Sequence, residues 1–243
     1  MKILCFASCF VALVAGAALG GPIAYEGVQY SPGPLALNGP ATGFAAPWAA
    51  DPGVNVVAAG LSSALDLTSA GGAVSGFFDF VDPLTNTIAP TPGTEFWASF
   101  LLYHSGPNDQ SFMGLSPAGA ELGSPPSAGF GVRLGQYGVF VGAAFTPSGK
   151  PFTPNGSTDF LVTHFVSAGP VWNVSLFVNQ SSFVIPDLAT TVPAVPFGTM
   201  VNQNQAQFVS DEYRLGDTAA DVSAAGVTPA VGETWGRIKG QYR

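Results

Sequence analysis

Fifteen carboxylates, seven cations and two histidines make up the ionisable chemistry of this 243-residue chain. Paired carboxylates are the commonest route to acid and base catalysis on a β scaffold, so their spacing is the first thing to read. Asp79 and Asp82 stand three apart and Asp211 and Glu212 are adjacent; on an alternating strand both spacings place the carboxyls on opposite faces. Glu212 and Arg214 are two apart, which sets them on one face as an ion pair tying a strand to its neighbours. The histidines, His104 and His164, are sixty positions apart, a spacing that does not suggest a zinc site. His104, at a strand end before Ser105-Gly106, reads as solvated, and His164 as a structural histidine with a hydrogen-bond partner. No Gly-x-Ser-x-Gly elbow occurs. The residues favour a non-enzyme.

The segments that must position these groups repeat with a period of two. In Glu95–His104, Phe96, Ala98, Phe100 and Leu102 share one face, while Trp97, Ser99, Leu101 and Tyr103 share the other. In Val171–Asn179 the inward set is Trp172, Val174, Leu176 and Val178, with Asn173, Ser175, Phe177 and Asn179 outward. Further alternating runs lie at 54–59, 73–80, 110–115, 130–134, 137–145, 159–166 and 207–215. On the 159–166 run His164 joins Phe160, Val162 and Val166, opposite Leu161, Thr163 and Phe165. Gly, Pro, Asn and Ser clusters separate the runs, and 85–93 and 181–204 read as connecting loops. The fold class predicted is all-β, a two-sheet antiparallel sandwich over one domain, residues 21–222.

Composition agrees. Only 9% of residues are charged, whereas 47% are hydrophobic and 12% aromatic, with 31 Gly and 21 Pro. A coiled coil and a wholly disordered chain are both excluded by these proportions. A net charge of −8 and a pI near 4.4 exclude a nucleic-acid partner, whose phosphates demand basic patches. Residues 1–20 read as a signal peptide: Met1-Lys2, an apolar run from Ile3, then Ala18-Leu19-Gly20 as the cleavage triplet. Cleavage there removes Cys5 and Cys9, the only cysteines, so the mature chain has no disulfide. No later stretch reads as transmembrane, and the expected location is extracellular or at the cell surface.

The order of motifs carries a resemblance. Tyr25-Glu26-Gly-Val-Gln-Tyr30 opens the series, and Phe96–Leu102, Phe112–Leu115, Asp159–Val162 and Val174–Asn179 follow. Ser210-Asp-Glu-Tyr-Arg-Leu-Gly216 and Thr218–Val222 close it. Over residues 24–222 this resembles the exported laminin G-like domains of the concanavalin A-like lectin/glucanase superfamily, common on bacterial surfaces. Val28 departs from the aromatic residue that the family places in the opening strand. The resemblance implies a jelly roll whose concave sheet recognises a glycan. Laminarinase-like members of the superfamily carry a Glu-x-Asp-x-x-Glu run, which is absent here. Relatives often hold one structural calcium ion; Asp82 and Asp109 are the candidates, with a simpler reading as turn-forming residues. No other cofactor is expected.

The function expected is therefore a non-catalytic exported module binding a polysaccharide or surface glycan. Aromatic faces and planar amides suit sugars, which selects Trp97, Tyr103, His164, Asn173, Phe177 and Asn179. The alternative is a structural or adhesive surface protein without a small ligand, and a glycoside hydrolase ranks third. The tail, 223–243, places Trp235, Ile238 and Tyr242 on one face of a short amphipathic helix beside Arg237, Lys239 and Arg243. It reads as a segment for an envelope or export partner, or as a terminus docked by its Trp. If the signal reading holds, the intact mass of exported protein will place its N-terminus within about three residues of Gly21. A mass that includes Cys5 and Cys9 would overturn it.

Overall fold

In a computed structural model, the described residues are 22–223 except 66–68, 70, 77–78, 105–109, 153–155 and 206–207. The signal segment, the 224–243 tail and Asp109 lie outside them. The alternating runs form strands because β-branched and aromatic residues on a pleated, two-faced ribbon can bury one side fully. In chain order these are β1 (Pro22–Glu26), β2 (Gly33–Pro34), β3 (Ala49–Ala50), β4 (Asn55–Val57), β5 (Ala73–Ser75) and β6 (Asp79–Ile88). Next come β7 (Glu95–His104), β8 (Ser111–Ser116), β9 (Ala128–Arg133), β10 (Gln136–Val141) and β11 (Ala144–Pro151). The series ends with β12 (Thr158–Ser167), β13 (Val171–Val178), β14 (Leu188–Pro193), β15 (Phe197–Asn204), β16 (Phe208–Gly216) and one short helix, α1 (Ala219–Val222).

Two antiparallel sheets result. One has nine strands in the order β14-β13-β12-β7-β16-β5-β4-β2, with β1 also paired to β16; the other has seven, β11-β10-β9-β8-β15-β6-β3. The expected all-β jelly-roll sandwich is the observed fold. Its inter-sheet core takes the inward rows Phe96-Ala98-Phe100-Leu102 and Trp172-Val174-Leu176-Val178, both read correctly from alternation. Phe100 lies parallel to Tyr213 at 6.1 Å and edge-on to Phe130 at 5.3 Å, joining the two sheets. Trp172 stacks on Phe197 at 5.5 Å and meets Phe96 edge-on at the same separation.

Three expectations need correction. The 85–93 loop begins later, because β6 continues to Ile88 and pairs Ile88 with Phe197. Within 181–204, β14 and β15 are strands. A register shift between Phe197 and Thr199 breaks the period of two, so Phe197 and Met200 both face the core and the pattern looks irregular in sequence. Pro193 is tolerated because β14 is the last strand of its sheet. His104 is not solvated: it is 1% exposed and stacked at 3.8 Å on Phe208, its partner residue across the β7–β16 ladder.

Trp172→Ala removes a side chain with no exposure from the centre of this core. The expected cost is ~3–5 kcal/mol, read as a lowered urea midpoint with an unchanged slope.

Candidate functional site

The six residues expected to hold a glycan all come from strands β7, β12 and β13 of the nine-stranded sheet or the turn beyond. Cross-strand register brings three together. His164 pairs with Trp97 across β12–β7, and their rings stack in parallel at 4.0 Å. Phe177 lies at 6.1 Å from Trp97. Glu95 Oε2 stands 3.3 Å from His164 Nε2, while burial lowers the imidazole pKa. Phe183 packs over Trp97 at 5.5 Å and over Phe177 at 5.3 Å. A second apolar layer forms here, in which Leu101, Phe160, Val162 and Phe177 are covered by Val222 of α1 and by Leu61, Leu65 and Phe183.

The other three expected residues stand apart. Asn173 is exposed one row beyond Trp97, opposite Val166. Tyr103 is six residues along β7, roughly 20 Å away at the rise of a strand. Asn179 is committed to structure: its side chain donates to Asp159 at 2.6 Å and accepts from the Phe160 amide at 2.7 Å, with φ of 55°.

The outer side of the seven-stranded sheet is organised differently. Gly114 and Gly129 lie side by side in β8 and β9, and a Cβ on either would meet the Pro126 ring at 2.5 and 3.2 Å. Without those side chains the 117–127 loop can lie flat against the sheet. Between that loop and the sheet is a cleft of roughly 180 Å³, smaller than the ~300–1,000 Å³ of typical ligand pockets. Phe112 and Phe140, 4.9 Å apart, form its apolar floor. Asp79, Gln110 and Gln203 form one wall, Gly123–Pro126 another, and Arg133 with Ala143 the rim.

The polar wall is wired in series. Gln110 Nε2 donates to Gln203 Oε1, and Gln203 Nε2 donates to Asp79 Oδ1 at 2.7 Å. A backbone hydrogen bond from Gly123 also reaches Asp79, whose carboxyl is raised in pKa chiefly by burial. Arg133 Nη1 donates to the Ala143 carbonyl at 2.9 Å. Planar amides held in line above phenyl rings present donors and acceptors at fixed spacing, which suits vicinal hydroxyls. Sequence reasoning missed this constellation. Alternation does mark Phe112, Arg133 and Phe140 as outward, but Gln203 sits in the stretch read as a loop.

The remaining carboxyls serve the interior. Glu26 accepts from the Val28 amide at 2.6 Å, the Tyr30 hydroxyl at 2.5 Å and the Trp48 indole at 3.0 Å. Asp82 is not a loop residue: it lies mid-strand in β6, fully buried, paired with Met200, and neither oxygen has a hydrogen-bond partner. Its side chain faces the core, beside Phe80, Leu84 and Met200, rather than a loop. Asp211 and Glu212 also depart from simple alternation. Glu212, at φ of 54°, occupies a register shift in β16, so both carboxyls reach the outer layer. Asp211 accepts from Leu61 N at 3.0 Å, and Glu212 pairs with Arg214 at 2.7 Å as the same-face reading expected.

No family model and no curated protein matches this sequence. Among solved structures, the chain is similar to domain 4 of an extracellular arabinanase from Geobacillus stearothermophilus, solved with arabinotriose. That match has 12% identity and a TM-score of 0.49, over 86% of this chain and 99% of that one. It is also similar to lectin II from Ulex europaeus, at 10% identity and a TM-score of 0.43, over 79% and 96%. The likeness to Trypanosoma rangeli sialidase, at 11% identity and a TM-score of 0.40, covers 70% of this chain and about 29% of that one. The architecture is a two-sheet antiparallel β-sandwich, the fold class that the alternating runs predict. Among the described residues no helix is long and apolar enough to cross a membrane.

The buried acids make stability depend on pH in an unusual sense. Burial pushes Asp82 up to about 8, with the Glu26 charge adding to it, and Asp211 up to about 7; Glu26 is raised as well. Unfolded carboxyls release their protons near pH 4, so between that pH and about 8 the folded state holds more protons. Stability is therefore full below the unfolded values and falls as pH rises towards 8. Thermal unfolding is expected to show a higher midpoint at pH 5 than at pH 8, and Asp82→Asn to flatten that slope. A midpoint that rises with pH over this range would contradict the assignment.

Proposed function

We propose that the protein is an exported, non-catalytic module that binds a glycan in the cleft on the outer side of its seven-stranded sheet. The observation that carries this reading is the Gln110–Gln203–Asp79 wall above the Phe112–Phe140 floor. Export rests on the signal-like N-terminus. The absence of a catalytic role rests on the carboxyls: Asp79 is the acid that lines the cleft, and it is already bonded to Gln203. One acid does not make the acid and nucleophile pair that glycoside hydrolysis uses.

A second reading has its own observation. Val184 and Ile185, at 79% and 76% exposure, form an apolar ledge next to Phe183, which packs on Trp97 and Phe177. Such a ledge suits an adhesive contact with another surface polymer or protein. Trp97 with its neighbours would then hold that contact.

A glycan array probed with the protein separates the two. Gln203→Ala is expected to weaken retention about ten-fold or more, since it removes a planar amide from the middle of the wall, and to cost about 1 kcal/mol of stability for the bonds Asp79 and Gln110 lose. Trp97→Ala is expected to leave retention intact. If Trp97→Ala abolishes retention and Gln203→Ala does not, the site belongs on the nine-stranded sheet. Failure of the unaltered protein to be retained by any glycan would leave the adhesive reading in its place.

A further inference from the structure

The described part of the chain is poor in cations and rich in acids. Its only lysine and arginine residues are Arg133, Lys150 and Arg214. Lys150 pairs with Asp187 at 3.2 Å, and Arg214 pairs with Glu212 at 2.7 Å. Arg133 has no carboxylate partner among the described residues; one Nη donates to the Ala143 carbonyl, and the guanidinium stands on the rim of the cleft. Among the described residues, the one cation without a carboxylate partner thus stands at the cleft.

A guanidinium has five donors in a planar fork, and a backbone carbonyl occupies one of them here. The remaining edge matches a carboxylate bidentately, a geometry no hydroxyl reproduces. Opposite it, Asp79 is held by Gln203 and the Gly123 amide. The cleft therefore has a hydroxyl-reading wall on one side and a carboxylate-reading group on the other.

We infer that this cleft selects an acidic sugar, a uronate or sialate residue whose carboxylate pairs with Arg133 while its hydroxyls meet Gln203, Gln110 and Asp79. This inference rests on the glycan-binding reading above. It also constrains the polymer. A chain with net charge −8 repels a dense polyanion at long range. An isolated acidic residue in an otherwise neutral glycan meets the Arg133 contact without that penalty. For densely charged ligands, raising salt from about 10 to 150 mM screens the long-range repulsion more than the direct contact, so affinity should hold or rise.

The test is calorimetric titration of the full chain with the single-carboxylate sugar methyl galacturonoside, with its methyl ester, and with 3′-sialyllactose against lactose. The acids are expected to bind at least ten-fold more tightly than their neutral counterparts. Arg133→Gln should remove that preference while preserving affinity for the ester, and Lys150→Gln should leave every affinity unchanged. Equal binding of acid and ester by the unaltered protein would overturn the acidic-sugar inference and leave the glycan reading standing. A preference that survives Arg133→Gln would overturn the role of Arg133. If these sugars do not bind and the array shows retention on neutral glycans alone, the inference falls and the module remains. If no glycan of any kind is retained, both fall together.

Discussion

The molecule depends on the aromatic seam between its two sheets. Phe100, Tyr213 and Phe130 meet at its centre, with Trp48 and Phe80 on one flank and Trp172, Phe197, Phe96 and Phe165 on the other. The described residues include no cysteine, and their ion pairs are isolated ones such as Lys150–Asp187 and Glu212–Arg214. Burial of large rings is what offsets the entropy of ordering sixteen strands. Because this seam fixes which side of each strand faces inward, it also fixes the residues left for the two outer faces.

Those faces are then finished by different means. On the nine-stranded sheet the outward row is apolar and receives a second layer, with α1 seated by Ser99, whose hydroxyl donates to the Val222 carbonyl at 2.9 Å. Trp97 is drawn into that layer by His164 and Phe183, so its ring faces are already in contact. On the seven-stranded sheet, glycines replace side chains at the centre and a proline loop covers them. This cover ends short of Phe112 and Arg133, and the gap is the cleft. The rings of the cleft are themselves largely covered, Phe112 at 6% and Phe140 at 2% exposure, whereas Trp97 stays half-buried.

The buried acids show a related tension. Glu26 has three donors and anchors Val28, Tyr30 and Trp48 to the core. Asp82 has none, and burial pushes its pKa up to about 8. An apolar residue at that position would avoid the ionisation cost, and nothing in the packing explains why an acid stands there. Asn202, on the neighbouring strand and also buried, likewise has no hydrogen-bond partner for its amide.

The sequence by itself determined the fold class, most strand positions and the inward rows of β7 and β13, and it split β12 into its two faces without saying which is inward. It could do so because the pleat sends successive side chains to opposite faces, and burying one face imprints a period of two. It also marked the Glu212–Arg214 pair, a contact between residues two apart on one strand. Where local backbone departs from the period, the reading fails: the register shift at Phe197–Thr199 disguised β15, and the bulge at Glu212 moved a carboxyl to an unexpected side. Only the tertiary structure decided that Trp97 is roofed, that His104 is buried, and that Asp79, Gln110, Arg133 and Gln203 share one cleft. Those four residues come from β6, the approach to β8, β9 and β15, and are brought together by the order β9-β8-β15-β6. Strand order is set by which non-local pairings bury the most surface, a sum over the whole chain that no local spacing records.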